Sequence, residues 1–592
     1  MHFVDYAIVV FYLVSVVVLG FYFQKKASKS IDAYFLGENG LPWWALGASG
    51  MASNVDLSGT MILAALIYSL GVVGYYIEIR GGIVLIMSFF MIFMGKWNRR
   101  SGCMTVAEWM KFRFGDGKQG RYARIISAVA NITFAIGSIS YFAIGGGKFF
   151  SEFFNLDEQT GTIILISITT LYTVASGLYG VVWTDVYQGF LILIGVVSVV
   201  FIALTTVNLP ENFTVSVPNN RSYDVVNVNY YEWSSIFPKF ELNLPGDYAI
   251  FNLLGVVVVI YLFKTFMEGF GGSGGYITQR YFAAKSDRDA GLLSLFWIVL
   301  LSLRWPLVTA FAVLGIHYGL NHSFIHDPEL VVPVVIKAYL PIFIKGIVVT
   351  GFLAAAMLTF TSIINAAAAY WVKDIYQLVI NPEASDKKLV WHSKVASVVI
   401  VILGILFAST LKSINDIWGW LSLGLGTGLV LPLVLRWFWW RFNGNGFLQG
   451  TLWGMVTAIV IKLFFNGLPE YLNFIIPLTF SFIGCILGTF LTKPTDEDVL
   501  MNFYMRTRPF GFWGKVKNKL DLPTIKAINQ ENRLDIISLF IALPWHFSLF
   551  MIGIEIVMKR WDYVAILLFI LSLLSLLLYK LWFTRLSYKE RA

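Results

Sequence analysis

Two cysteines in 592 residues leave no basis for a disulfide framework, and since Cys103 falls in a loop and Cys485 in an apolar run, they supply no thiolate metal site either. Charge is equally scarce. Asp, Glu, Lys and Arg make up 13% of the chain, against roughly 25% in soluble domains, which excludes an ordinary water-soluble globule. Histidine is thin at six residues. His322 and His326 stand four apart without a third ligand and read as a loop feature. No His/Asp/Ser cluster gathers at one interface as a membrane-bound enzyme would need, and Met-rich or His-rich metal tracts are missing. The first apolar run, Tyr6 to Gln24, lacks the basic leader and small-residue exit of a signal peptide, so it reads as a retained helix.

What fills the chain instead is apolar: 57% hydrophobic residues and a mean hydropathy of +0.71. These values describe an all-α polytopic membrane protein. The net charge of +9 lies in the loops between apolar runs, which encodes membrane topology and does not indicate nucleic-acid binding. After the first run, spans are expected near 43 to 72, 74 to 96, 124 to 152, 161 to 178, 185 to 207, 249 to 274, 290 to 320, 346 to 373, 391 to 411, 418 to 437, 449 to 466, 472 to 492, 536 to 557 and 563 to 583. Lys25, Lys26 and Lys29 follow the first span, and Lys96, Arg99, Arg100, Lys111, Arg113, Arg280, Lys285, Arg288, Lys387 and Lys388 fall in the same set of alternate loops. The long loop 208–248 carries only Arg221 and Lys239. The bias places the N-terminus outside and the C-terminus in the cytoplasm of a cell-membrane protein. Asn212-Phe-Thr matches a glycosylation acceptor, a pattern too short to carry weight.

Two spans are broken by glycine and polar residues. The run 47–59, GASGMASNVDLSG, interrupts the second span, and Glu268 to Gly275, EGFGGSGG, interrupts the seventh. Broken spans in corresponding places of two halves point to a secondary transporter whose solute and ion sites lie at the breaks. Five spans (43–207) precede the loop 208–248 and five (249–437) follow it. An odd count inverts the second copy, a 5+5 inverted repeat. Residues 1–42 then form an added N-terminal helix and cytoplasmic loop, 438–492 further helices, 493–535 a cytoplasmic linker and 536–592 a C-terminal helical pair, so that one helix precedes the core and about four follow it.

Ionisable residues inside spans each cost about 2.5 to 3.5 kcal/mol at a helix centre and should face a partner or a wet cavity. Asp56, Glu78, Arg80, Asp185, Lys264, Glu268 and Arg304 qualify. Lys264 and Glu268, four apart, read as a structural ion pair. Glu78 and Arg80, two apart, should point to different sides, Arg80 as interface anchor or substrate contact. Arg304 precedes Pro306 and reads as the partner of the carbonyl that the proline frees. The span from Gly351 offers Thr359, Thr361 and Ser362 behind Ala354 to Ala356, either as helix glue or as neutral oxygens for a hard cation.

Six stretches occur together in order: Asp32-Ala-Tyr-Phe-Leu-Gly, Leu41-Pro-Trp-Trp, Met104-Thr-Val-Ala-Glu-Trp, Val182-Trp-Thr-Asp-Val-Tyr-Gln188, Gln279-Arg-Tyr-Phe-Ala-Ala-Lys-Ser286, and Asn365 through Lys373-Asp-Ile-Tyr376. By these the chain resembles the sodium:solute symporter family, of the LeuT-type fold, over most of residues 1 to 490. The resemblance implies Na+ as coupled ion, a small-molecule substrate, a lipid-embedded chain working as a monomer, and alternating access. It implies a shared sodium site of the carbonyls of Ala52, Val55 and Ala355 with the Thr359 hydroxyl. Leu358 stands where the family often has a second hydroxyl, with Asp56 as a candidate replacement. It implies a second sodium site at Asp185, Thr361 and Ser362. For the substrate it implies contacts at Asn54, Glu78 and the Phe270 position, and Arg80 joins them as a candidate by its charge. The sodium/glucose-like branch is suggested by Asn54, Glu78 and the added C-terminal spans, although Leu301, Met267, Phe270 and Gly59 depart from it. A sugar or polyol is therefore expected; an amino acid, sugar acid or other organic anion held by Arg80 is the alternative, and a membrane sensor the non-transport one.

Overall fold

A computed structural model of the protein describes residues 1–27, 42–52, 54–81, 83–103, 106–175, 178–219, 222–272, 275–409, 413–465 and 468–586. Fifteen long helical runs follow one another. They are α1 (Phe3–Ala27); α2, broken into α2a (Trp43–Ala52) and α2b (Leu57–Leu70); α3, bent, from Val73–Glu78 to Gly95–Ser101; α4 (Lys118–Phe154); α5 (Glu158–Ala175); and α6 (Leu178–Thr206). Then come α7, broken into α7a (Leu254–Gly271) and α7b (Gly275–Phe282); α8 (Asp287–Ser302 and Arg304–Asn321); α9 (Ile344–Ala369, extended to Ile380); α10 (Asp386–Ala408); α11 (Ile414–Gly419 through Gly426–Phe438); α12 (Gly444–Phe464); α13 (Glu470–Phe490); α14 (Leu522–Val557) and α15 (Trp561–Leu581). Among the described residues eleven are long and apolar enough to cross a membrane, thirteen with the bent pairs at α2 and α3, whose halves meet at 63° and 60°.

The two five-helix sets, α2–α6 and α7–α11, each open on a broken helix, and the breaks have local causes. Asp56 ends the irregular stretch by accepting from the Gly59 amide at 2.8 Å, an N-cap that restarts the helix as α2b. In the second set α7a stops at Gly272, whose φ of +70° suits glycine. Ser53, Ser273 and Gly274, inside the two breaks, lie outside the described residues, as do Asp32 to Gly37 of the first family-like stretch, Leu41 of the second and Met104 and Thr105 of the third. The added α1 is held to the core by Asp5, which is fully buried and accepts from the amides of Phe343 and Gly346 at the start of α9 (2.9 and 3.1 Å).

The loop 208–248 contains structure that an all-helical reading passes over. Asn212–Asn219 (β1) and Ser222–Asn229 (β2) form an antiparallel hairpin. Phe213, Val215 and Val217 alternate inward and are buried, a period-two signal present in the sequence. The hairpin seals the end of α2b: Ser69 Oγ donates to Ser216 O (2.7 Å), the Val72 amide to Trp233 O (3.0 Å) and Trp233 Nε1 to Tyr68 O (3.3 Å). Gly71, at φ +63°, is required there, since a Cβ would lie 1.8 Å from Trp233 O.

On the opposite face the stretch expected as linker is helical, with Glu497–Thr507, Gly514–Lys517 and the first turns of α14. α14 begins at Leu522, well before its apolar run, because Asp521 caps it through the Thr524 amide at 3.1 Å and Pro523 suits its first turn. Lys96 bonds Glu531 and Asp535 of α14 (3.0 and 2.5 Å), and Arg100 bonds Asp287 and Glu531 (2.8 and 2.7 Å), tying α3, α8 and α14 together.

Candidate functional site

The break in α2 opens on a cavity of about 350 Å³ that runs between α2, α4, α7, α8, α9 and α11. Its size falls within the usual range for small-molecule sites. Polar groups reach it from several elements: Asn54 and Asp56 from the break, Glu78 from α3, Ser138 and Tyr141 from α4, Thr359 from α9 and Trp418 from α11.

Asp56 is fully engaged. Besides capping α2b with Oδ2, it receives Arg304 Nη2 on Oδ1 at 3.2 Å, while Arg304 Nη1 donates to Asn54 O at 3.0 Å. The guanidinium therefore leaves its own helix and clasps the break of α2, instead of serving the carbonyl freed by Pro306. A charged, five-donor head on a long stem can reach across to an irregular segment rich in free acceptors. Gly59 makes room for this clasp, since a Cβ would come within 2.5 Å of Arg304 Nη2 and 2.8 Å of Tyr141 Oη. Both Asp56 oxygens thus carry a donor, Oδ2 the Gly59 amide and Oδ1 the Arg304 guanidinium.

Glu78 is buried, and its Oε1 accepts from Trp418 Nε1 at 3.1 Å. Its Oε2 has no partner among the described residues. Trp418 in turn lies against Tyr141, ring centroids 5.1 Å apart at 30°. Gly81 allows this arrangement, because a Cβ there would meet Glu78 Oε1 at 2.7 Å. The cavity thus has an aromatic wall beside a carboxylate oxygen that is free to accept.

Two of the other expected contacts, Arg80 and Phe270, lie elsewhere. Arg80 is fully buried, bonds Asn415 Oδ1 and sits 5.6 Å from the Phe251 ring centre; it does not line the cavity. Glu78 and Arg80 both reach the first turn of α11, because α3 leaves its α-helical path at Ile79–Gly81 and the expected divergence of the two side chains is lost. Phe270 packs among Phe89, Phe93, Phe438 and Phe510, also away from the cavity. Asn54 lines it, with its amide donating to Gly50 O at 2.9 Å. Lys264 pairs with Glu268 at 2.7 Å, as their spacing predicts, and also donates to Arg80 O at 2.6 Å, pinning α7a to α3.

For a cation, Ala52, Val55 and Ala355 are buried, and Thr359, which lines the cavity, donates to Ala355 O at 3.2 Å. Carbonyls and a hydroxyl are the neutral oxygens that suit a hard monovalent ion. Thr361 and Ser362 are buried on α9, against which α6 packs. The side chain of Asp185, on α6, lies outside the described residues. No group of three or more His, Cys, Asp or Glu is placed to hold a metal among the described residues.

Arg304, Tyr141 and Trp418 are the site residues that the sequence does not single out as solute contacts. Trp418 is one of 20 tryptophans, and nothing in its neighbours separates it from those that only pack.

The profile of the sodium:solute symporter family matches residues 34–456. The chain is 26% identical over 528 residues to a sodium/glucose cotransporter of Vibrio parahaemolyticus, covering 84% of this chain and 92% of that one. It is 25% identical over 506 residues to the high-affinity proline transporter PutP of Bacillus subtilis (strain 168), covering 81% and 97%. Among solved structures it is similar to a substrate-bound, outward-open Na+-coupled sialic acid symporter, with a TM-score of 0.62 at 20% identity over 84% of this chain and 99% of that one. The fold is the LeuT-type 5+5 inverted repeat, with one helix before it and four after.

Proposed function

Because the chain belongs to the sodium:solute symporter family, whose members here are multi-pass sodium-coupled transporters and not enzymes, we propose that its cavity carries a neutral, hydroxyl-rich solute, a sugar or related polyol. The observation that carries this reading is the unpartnered Oε2 of buried Glu78 beside the Trp418–Tyr141 pair. A buried carboxylate oxygen without a donor is costly, and a hydroxyl supplies the donor. A solute carboxylate in the same place would face repulsion instead. The aromatic pair offers an apolar wall for the C–H face of a sugar ring.

Sodium, in this reading, sits between the break of α2 and α9, on the carbonyls of Ala52, Val55 and Ala355 and the Thr359 hydroxyl, with a second ion at Asp185, Thr361 and Ser362. Its charge draws the two elements together and completes the solute site, so that solute and ion cross as one load. The hairpin face is external and the face carrying Glu497–Thr507 cytoplasmic, in keeping with the loop charges. A second reading, an organic anion, rests on Arg304, whose Nε has no partner among the described residues.

Thermal stability of the purified protein in sodium against potassium buffer, with a panel of sugars, polyols, sugar acids and amino acids, separates the two. Sodium should raise the midpoint, and sugars or polyols should raise it further only in sodium, by mass action on the folded state. A further rise with sugar acids or amino acids alone would replace the polyol reading with the anion one.

A further inference from the structure

On the face opposite the hairpin, a separate cavity of about 400 Å³ lies between the Gly514–Lys517 turn and the first half of α14. Lys517, Asn529, Asn532 and Arg533 line it, and Ile536 and Ile537 continue the same wall along α14. The helix sorts its charges by face. Glu531 and Asp535 turn inward to Lys96, and Glu531 also to Arg100. The row 529, 532, 533, 536 and 537 follows helical spacing on another side and contains no acid. Glu497, the acid that opens the neighbouring helix, is taken by Lys519.

Cationic and amide groups therefore face this cavity without a counter-ion among the described residues. Arg533 is exposed and makes no hydrogen bond or ion pair among the described residues. Asn532 is buried, with its side-chain oxygen unpartnered, an acceptor for a headgroup hydroxyl and not for the phosphate itself. Lys517 is half-buried and bonds only the neutral Asn529. Just beyond, the wall becomes apolar and outward-facing, with Ile536, Ile537 and Phe540 exposed by 37%, 39% and 61% where the membrane-crossing part of α14 begins. A basic, amide-lined end joined to an apolar end at the boundary of a span matches an ester of phosphate carrying acyl chains.

We propose that this pocket binds the headgroup of an anionic phospholipid, its phosphate on Lys517 and Arg533 and its chains along Ile536, Ile537 and Phe540. Binding there would brace α14 against the Glu497–Lys517 segment, independently of the solute carried.

Native mass spectrometry of the full chain in detergent, titrated with phosphatidylglycerol, phosphatidylcholine or inorganic phosphate, tests this. Phosphatidylglycerol should be retained and phosphatidylcholine not. The double variant K517Q/R533Q should weaken retention by about 30-fold, while K387Q/K388Q, exposed lysines elsewhere on that face, should leave it unchanged. Should K517Q/R533Q fail to fold, K517R/R533K must keep the lipid and Ile537→Glu must lose it. Equal retention by Ile537→Glu, equal retention of phosphatidylcholine, or displacement of the lipid by millimolar inorganic phosphate would each overturn the assignment, the last in favour of a soluble phosphate-bearing ligand.

Discussion

In the polyol reading Glu78 accepts from Trp418 and offers its free oxygen to a solute hydroxyl, so its charge is the property to remove. Glu78→Gln preserves the shape and the acceptor for Trp418 but exchanges a charged acceptor for a neutral one. The KM for the solute should rise by roughly 10- to 100-fold, the range expected for a hydrogen bond to a charged group, with sodium-dependent thermal stabilisation intact. A KM within twofold of the native value would remove Glu78 from the solute site. At this scale the sequence was only half legible. Carboxylates inside spans are visible because they are costly, which is how Glu78, Asp56 and Glu268 come forward from the sequence alone. Which of them is free to act depends on partners distant in the chain. Asp56 is taken by Arg304, 248 residues away, and Arg80 by Asn415, 335 residues away, and no local pattern carries those pairings.

Between elements, the Arg304 clasp is what joins α8 to the break of α2. Arg304→Met would leave Asp56 buried with its cap but no counter-charge, and removing one partner of a buried pair costs about 3 kcal/mol. The unfolding midpoint in the absence of solute should fall accordingly, and Arg304→Lys should recover part of it; an unchanged midpoint for Arg304→Met would mean that the clasp contributes no net stability. The elements themselves were largely readable, since apolar runs of membrane length and a paired glycine-rich interruption are direct consequences of the solvent they meet. The hairpin and the polar start of α14 were readable too, from the alternation of Phe213, Val215 and Val217 and from Asp521 before Pro523. A loop reading passes over the hairpin because it weighs hydropathy above period.

For the whole molecule, the number of ions per cycle sets how far a solute can be concentrated. One charge moving through about 100 mV is worth roughly 2.3 kcal/mol, about a fiftyfold gradient, and a second roughly squares it. If Asp185 with Thr361 and Ser362 holds the second ion, Asp185→Asn in proteoliposomes should reduce the sodium Hill coefficient from near two to near one and lower the limiting accumulation by about that factor. An unchanged coefficient would assign Asp185 to structure. The two halves of the broken helix α2 also have different attachments: α2a is held by Arg280, which donates to Ser49 O at 3.1 Å and Oγ at 2.9 Å, while α2b is held at its far end by the hairpin. Whatever seizes the hairpin therefore grips the α2b arm of that bend without entering the cavity. If the hairpin face is external, as proposed, an antibody fragment raised against residues 212–229 would act as a brake applied from outside the cell, slowing turnover while leaving solute and sodium free to bind.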